Sequence, residues 1–195
     1  MNTEPLGEIN ATNENPITHD WRFFMIIRTE TSSDFEEVFN LNYLAFGNRE
    51  DESKLIERIR SSDEFIPELS IVAEIDNEIV CHILLSKATV EDQEKESIVI
   101  VLAPIAVKPN FQKQGIGSLL IEEGIRRCKA LEYGIILLIG HPSYYPRLGF
   151  KPARKYGIEL KQFEVPDEVF MVYEVEDGKL QNIKGELIYP KAFFS

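Results

Sequence analysis

Apolar residues recur along the chain with two rhythms, and the changes between them mark the elements. Phe24 to Arg28 is a short apolar run that reads as a first strand. From Asp34 the spacing becomes helical: Phe35, Val38, Phe39, Asn42 and Phe46 share one face, Ser32 and Ser33 are placed to cap the start, and Gly47 ends the helix. A second helix is expected over Glu52 to Arg60, carrying Leu55, Ile56 and Ile59. Leu69 to Ile75 and Ile79 to Val90 are β-branched runs joined at Asp76-Asn77, a pair suited to a hairpin turn. An acidic loop, Glu91 to Glu96, leads into Ile98 to Val107, a continuously apolar strand of the kind found at the centre of a sheet covered on both faces. Helical spacing returns over Gly115 to Leu131, with Ile116, Leu119, Leu120, Ile125, Cys128 and Leu131 inward. Ile135 to Ile139 is a further buried strand, Tyr144 to Leu148 a short helix, and Val169 to Val175 and Glu186 to Tyr189 are closing strands. This order predicts a mixed α/β (α+β) sheet with flanking helices in one layered domain over residues 23–195. Residues 1–22, rich in Asn, Thr, Glu and Pro, read as a flexible leader.

With 44% hydrophobic residues in 195, the chain has enough apolar surface for a substantial core. No run reaches the roughly 18 to 20 apolar residues of a membrane span, and no basic stretch precedes an apolar one near the start, so a cytoplasmic protein is expected. Cys81 and Cys128 lie far apart in a strand and a helix, and the three histidines are scattered; neither a disulfide framework nor a metal site follows. A net charge of −12 argues against a nucleic-acid footprint. Its distribution is uneven: Ile105 to Lys161 holds ten Lys plus Arg against four acids, a basic segment inside an acidic protein.

That segment contains a strand, a tight basic loop and a helix: Ala106-Val107-Lys108-Pro109-Asn110-Phe111-Gln112-Lys113-Gln114-Gly115-Ile116-Gly117-Ser118. Free N–H groups and the positive end of the dipole suit a helix start to phosphate, and glycines let a ligand approach the backbone. An ordinary strand-to-helix turn would use the same glycines. A dinucleotide fingerprint needs a small residue where Leu120 stands, and a Walker A loop needs Gly-Lys-Ser/Thr where the chain has Gly117-Ser118-Leu119; both fail.

Gln112 to Gly117 resembles the Gln/Arg-x-x-Gly-x-Gly/Ala signature of the GNAT superfamily of acyl-CoA-dependent N-acetyltransferases. Tyr145-Pro146-Arg147-Leu148-Gly149-Phe150, after the strand at Ile135 to Ile139, resembles that family's tyrosine helix ending in Gly-Phe. The resemblance extends through Val169 to Val172 and Gly185 to Phe193. It implies a mostly antiparallel sheet whose central strands splay, with a bulge that Pro104 would fit. It also implies acetyl-CoA as cosubstrate, with no metal. The pantetheine arm would lie along Ile105 and Val107, and Gln112, Lys113, Gln114, Gly115, Ile116, Gly117 and Ser118 would surround the pyrophosphate. Tyr145 would be the catalytic acid for the leaving thiolate. The partner would be a small-molecule or peptide amine, cationic given the acidic remainder of the chain, and neither a nucleic acid nor a membrane; the assembly would be a monomer or homodimer.

The sequence departs from the family where some members carry a general-base glutamate: Val101 stands there. His82 and Glu74, on neighbouring strands, are the substitute candidates. The missing base keeps two other readings open, a non-catalytic module that binds or senses acyl-CoA and an interaction protein with a glycine turn.

Overall fold

The computed structural model describes residues 24–93 and 95–194, so the leader expected over residues 1–22 lies outside the described residues. Among the described residues nine strands form one sheet: β1 (Ile26–Thr29), β2 (Ser70–Ile75), β3 (Glu78–Asp92), β4 (Lys95–Val107), β5 (Ile135–Ile139), β6 (Lys151–Pro152), β7 (Ile158–Glu159), β8 (Phe170–Glu174) and β9 (Gly185–Ile188). The main path runs β1-β2-β3-β4-β5-β8-β6, while β9 pairs with β3 and β7. Only β4–β5 and β7–β9 are parallel; the other ladders are antiparallel. Three α-helices among the described residues cover the sheet: α1 (Phe35–Ala45), α2 (Asp51–Arg60) and α3 (Ile116–Ala130). No described helix is long and apolar enough to cross a membrane.

Strand periodicity decides which helix each residue meets. On β2 and β3, Ile71, Ala73, Ile83 and Leu85 join the cluster that holds Ile116, Leu120, Ile121 and Cys128 of α3. The intervening Val72 and Leu84 pack with Val38 and Leu41 of α1 and Ile56 and Ile59 of α2. Because helices lie on both faces, these strands are apolar at consecutive positions. A third cluster, around Phe170, Val172, Leu137 and Leu187, closes the C-terminal half.

Several boundaries move from their sequence expectation. Thr31 precedes the first helical turn in place of Ser32 or Ser33, its N–H donating to Asp34 Oδ2 at 2.7 Å in a capping box. Asp34 is also held by Arg28 at 2.7 Å, and its pKa is lowered chiefly by that hydrogen bond. Leu41 of α1 and Ile121 and Gly124 of α3 are buried, while Leu131 is exposed beyond the end of α3. The acidic segment expected as a loop is the tip of a long hairpin, with Glu91 opposite Glu96 and Asp92 opposite Lys95. Ile98, near that tip, is 64% exposed, so β4 is continuously buried only over Val99 to Val101, and Leu102, Pro104, Ile105 and Val107 beyond it are half-buried. The Asp76-Asn77 turn has φ values of 51° and 62°, the left-handed conformations of a tight hairpin. The two-residue strands β6 and β7 carry too few positions to show a period, and the sequence gives no sign of them.

Candidate active site

The site exists because two adjacent parallel strands part. The β4–β5 ladder consists of Ile100–Ile136 and Val101–Leu137. Beyond it β5 continues against β8, while β4 continues against β3 up to Val107. Between them the β4 edge from Leu102 onward lies open. A bulge assists the divergence: Leu85 pairs with Leu102 and Ile83 with Ile105, so Leu84 faces both Ala103 and Pro104. Proline suits this position because it has no N–H to leave unpaired.

A groove of 410 Å³ occupies the opening, lined by Ile105, Val107, Lys113, Gly115 to Ser118, Gly140, Tyr144 and Tyr145, among others. Every residue expected to surround the pyrophosphate is there except Gln114, which folds back and donates to the Asn110 carbonyl at 3.0 Å. Gln112 also has a structural bond: its Nε2 donates to the Val107 carbonyl at 3.1 Å and ties the loop to the end of β4. The loop turns through left-handed conformations at Lys113 (φ 62°) and Gly115 (φ 92°). The first intrahelical bond is from Leu119 N–H to the Gly115 carbonyl at 3.2 Å, which leaves the N–H groups of Ile116, Gly117 and Ser118 without helical acceptors. A Cβ at Gly117 would meet Tyr144 Oη at 3.3 Å and Val107 Cγ2 at 3.4 Å, so a side chain there would be tight against the groove wall and would press on the Tyr144 hydroxyl.

The tyrosine turn forms the opposite wall. Tyr145 is buried beside Phe150, ring centroids 5.5 Å apart, and contributes to both this groove and a second chamber of 320 Å³. Burial pushes its phenol up to about 12, with a smaller contribution from Tyr144, so it is protonated at neutral pH. Tyr144 is within 3.1 Å of Ser118 Oγ and links this turn to α3. Gly140 makes the arrangement possible: a Cβ there would stand 2.6 Å from Tyr145 Cδ2, closer still to Cε2, and 2.9 Å from Leu138 Cδ1.

The substitute base candidates are elsewhere. His82 is fully buried under α1 and α2. Ser70 Oγ donates to Glu30 at 2.6 Å, so the imidazole must donate from Nε2 to Ser70 Oγ at 3.1 Å, leaving Nδ1 to accept from Asn42 at 3.5 Å. Arg60 pairs with Glu30 in the same network. Desolvation, with the Arg60 charge, lowers the imidazole to about 3; it is a neutral core residue. Glu74 is bound by Arg28 at 2.8 Å on the outer strands. Val101 is fully buried and pairs with Ser86 and Leu137. Both cysteines are buried, and desolvation raises their pKa values.

The basic segment is also less available than its residue count suggests. Lys108 is engaged by Glu78 at 2.7 Å and Glu37 at 3.3 Å, and Arg126 and Arg127 by Glu123 at 2.7 Å each. Lys113 remains exposed on the loop. A larger concavity of 580 Å³ at the hairpin tip has five acids, Glu91, Asp92, Glu96, Glu159 and Glu186, against Lys95 and Lys161, a net negative wall that disfavours a phosphate.

Comparison with known proteins agrees with this geometry. The model of the acetyltransferase (GNAT) family matches residues 34–150. The uncharacterized N-acetyltransferase YjhQ of Escherichia coli strain K12 is 32% identical over 136 residues, 70% of this chain and 75% of that protein. The crystal structure of the GNAT family N-acetyltransferase YhbS from Escherichia coli, in complex with CoA, has a TM-score of 0.78 at 24% identity, covering 87% of this chain and 91% of that one. A GNAT family acetyltransferase from Brucella melitensis, in complex with acetyl-CoA, has a TM-score of 0.70 at 26% identity, covering 87% and 98%. With its splayed strands, glycine-capped helix and tyrosine turn covered by the family match, this chain belongs to the acetyltransferase (GNAT) family.

Proposed function

We propose that the protein moves the acetyl group of acetyl-CoA to an amine, with both substrates bound together in two chambers that meet at Tyr145. The observation that carries this reading is that the groove and the second chamber share three walls, Tyr145, Ile105 and Phe46, so the two cavities lie on either side of the same tyrosine. The N–H groups of Gly115 to Ser118 and the Lys113 ammonium suit the pyrophosphate, and the open β4 edge at Ile105 and Val107 suits the pantetheine arm. The complexes of the Escherichia coli and Brucella relatives with CoA and acetyl-CoA support the same cosubstrate here.

In this reading the amine, having lost its ammonium proton to solvent, attacks the acetyl carbonyl directly. The C–N bond forms, the C–S bond breaks and the surplus proton on nitrogen passes to the thiolate or to water, while orienting the two substrates supplies roughly 7–11 kcal/mol of the barrier reduction. Tyr145 directs its hydroxyl toward the leaving sulfur. Its pKa lies above the roughly 8.5 of an ordinary thiol, so it stabilises the thiolate by donating a hydrogen bond more readily than by giving up its proton outright. The acidic remainder of the chain favours a cationic acceptor.

Calorimetry with CoA and thiol release over a panel of amines test the proposal together. Tyr145→Phe should slow thiol release by about 10²-fold, the lower end of the range for a positioned acid, while leaving CoA affinity within twofold. A chain that binds no CoA, or binds it without releasing thiol in the presence of any amine, contradicts the reading.

A further inference from the structure

The second chamber has walls of one character and a single charge. Leu55 from α2, Leu102 from β4, and Phe163, Tyr189 and Phe193 make it apolar and largely aromatic. The aromatics are packed together, Phe163 on Tyr189 at 5.4 Å between ring centroids and Tyr189 on Phe193 at 4.9 Å. Among the described residues that line the chamber, Glu52 alone is charged.

Glu52 sits in the first turn of α2 with its side chain 21% exposed. Its Oε1 accepts from Arg49 at 3.0 Å, a guanidinium that is itself 61% exposed and therefore screened by water. Its Oε2 is buried and has no hydrogen-bond partner among the described residues. A shielded carboxylate oxygen without a donor is unfavourable, and an incoming donor relieves it. An ammonium offers three donors and the opposite charge.

We propose that this chamber binds the acceptor and that the acceptor is a primary amine with a ring-sized apolar body. Its ammonium docks on the Glu52 carboxylate, which turns Oε2 toward the chamber to accept from it, and its body packs against Leu55, Phe163 and Phe193; the nitrogen gives up one proton to solvent before it attacks. The inference rests on the acetyl-transfer reading and narrows it. A polyamine or basic peptide would bring further charges against apolar walls with no carboxylate to meet them, whereas an arylalkylamine carries one charge and a body that gains from burial. A volume of 320 Å³ fits a single ring and a short chain. Glu52 is thus an acceptor-binding residue that sets specificity and has no part in holding CoA.

The test uses the full chain with 2-phenylethylamine and spermidine as probes, by thiol release at saturating acetyl-CoA and by calorimetry on the CoA-loaded protein. The expected kcat/KM for 2-phenylethylamine is at least tenfold that for spermidine. Glu52→Gln should raise the KM for 2-phenylethylamine at least tenfold, about 1.4 kcal/mol of binding, with the KM for acetyl-CoA unchanged, and Glu52→Asp should recover part of the loss. Leu55→Trp, which fills the chamber, should abolish 2-phenylethylamine binding while CoA still binds. A preference for spermidine, an unchanged amine KM in Glu52→Gln, or equal 2-phenylethylamine affinity in wild type and Leu55→Trp overturns the assignment. Failure of the wild type to bind CoA overturns the acetyl-transfer reading itself, which the CoA titration detects before any amine is added.

Discussion

Replacing Gly140 by alanine probes the link between packing and catalysis at Tyr145. The new Cβ would lie 2.6 Å from Tyr145 Cδ2 and 2.9 Å from Leu138 Cδ1. Carbon atoms settle at about 3.5–4.0 Å and Cε2 is nearer still, so the ring must retreat by roughly 1–2 Å. It has little room, because Tyr144 packs edge-on at 5.1 Å between centroids and Phe150 at 5.5 Å. Overpacking of this kind costs about 1–3 kcal/mol, which for a chain of this size lowers Tm by about 2–12 °C. The kinetic effect should be larger than the loss of stability implies, since a misplacement of about 1 Å at a reacting centre costs on the order of 10²-fold in rate. Thiol release should therefore fall by about 10²-fold at a temperature where circular dichroism shows the variant fully folded, with CoA affinity little changed. Gly178→Ala serves as the control: φ there is 85° and nothing lies within 4 Å, so it should cost about 1 kcal/mol of backbone strain and no activity. A Gly140→Ala protein with wild-type turnover would refute the claim that the Tyr145 ring position governs the reaction.

Other perturbations address the fold and the loop. Gly185→Ala places a Cβ 2.7 Å from the Glu91 carbonyl carbon and 3.0 Å from Asp92 N, backbone atoms that cannot rotate away, at a φ of 126°. It should destabilise by about 3 kcal/mol or more in urea unfolding, with CoA affinity preserved in whatever fraction folds. His82 titrates near 3 in the folded chain and at 6.5 when free, so between those values the unfolded chain binds more protons. Its neutral burial thus stabilises fully above pH 6.5 and progressively less as pH falls toward 3; His82→Gln should flatten that part of the urea-midpoint curve. Lys113→Ala should weaken CoA binding by about three- to tenfold at low salt, with the difference shrinking above about 0.5 M salt, because the charge it removes is exposed and screened.

The sequence determined a good deal of this protein by itself. Apolar spacing located the main strands and the three helices to within a few residues, because helix and strand present different periods to a core. The glycine loop and tyrosine turn were legible for a related reason: glycines at fixed offsets and a helix start are local backbone devices, and they pointed to the proposed cosubstrate site before any packing was known. What the spacing left open was set by tertiary contacts. The roles of His82 and Glu74 depended on which elements covered them, and the helices over β2 and β3 made one a neutral core residue while Arg28 neutralised the other. The basic excess over Ile105 to Lys161 had to be reduced by ion pairs reaching to Glu37 and Glu78, far away in the chain. Nothing in the local sequence singles out Gly140; the need for glycine there comes from Tyr145, which occupies the space a side chain would need. Glu52 was one of many acids on an amphipathic helix, and only the meeting of α2, β4 and the C-terminal aromatics in space made it the lone charge in an apolar chamber. Local geometry is written in neighbouring residues; burial, charge pairing and cavity walls belong to residues that come together only on folding.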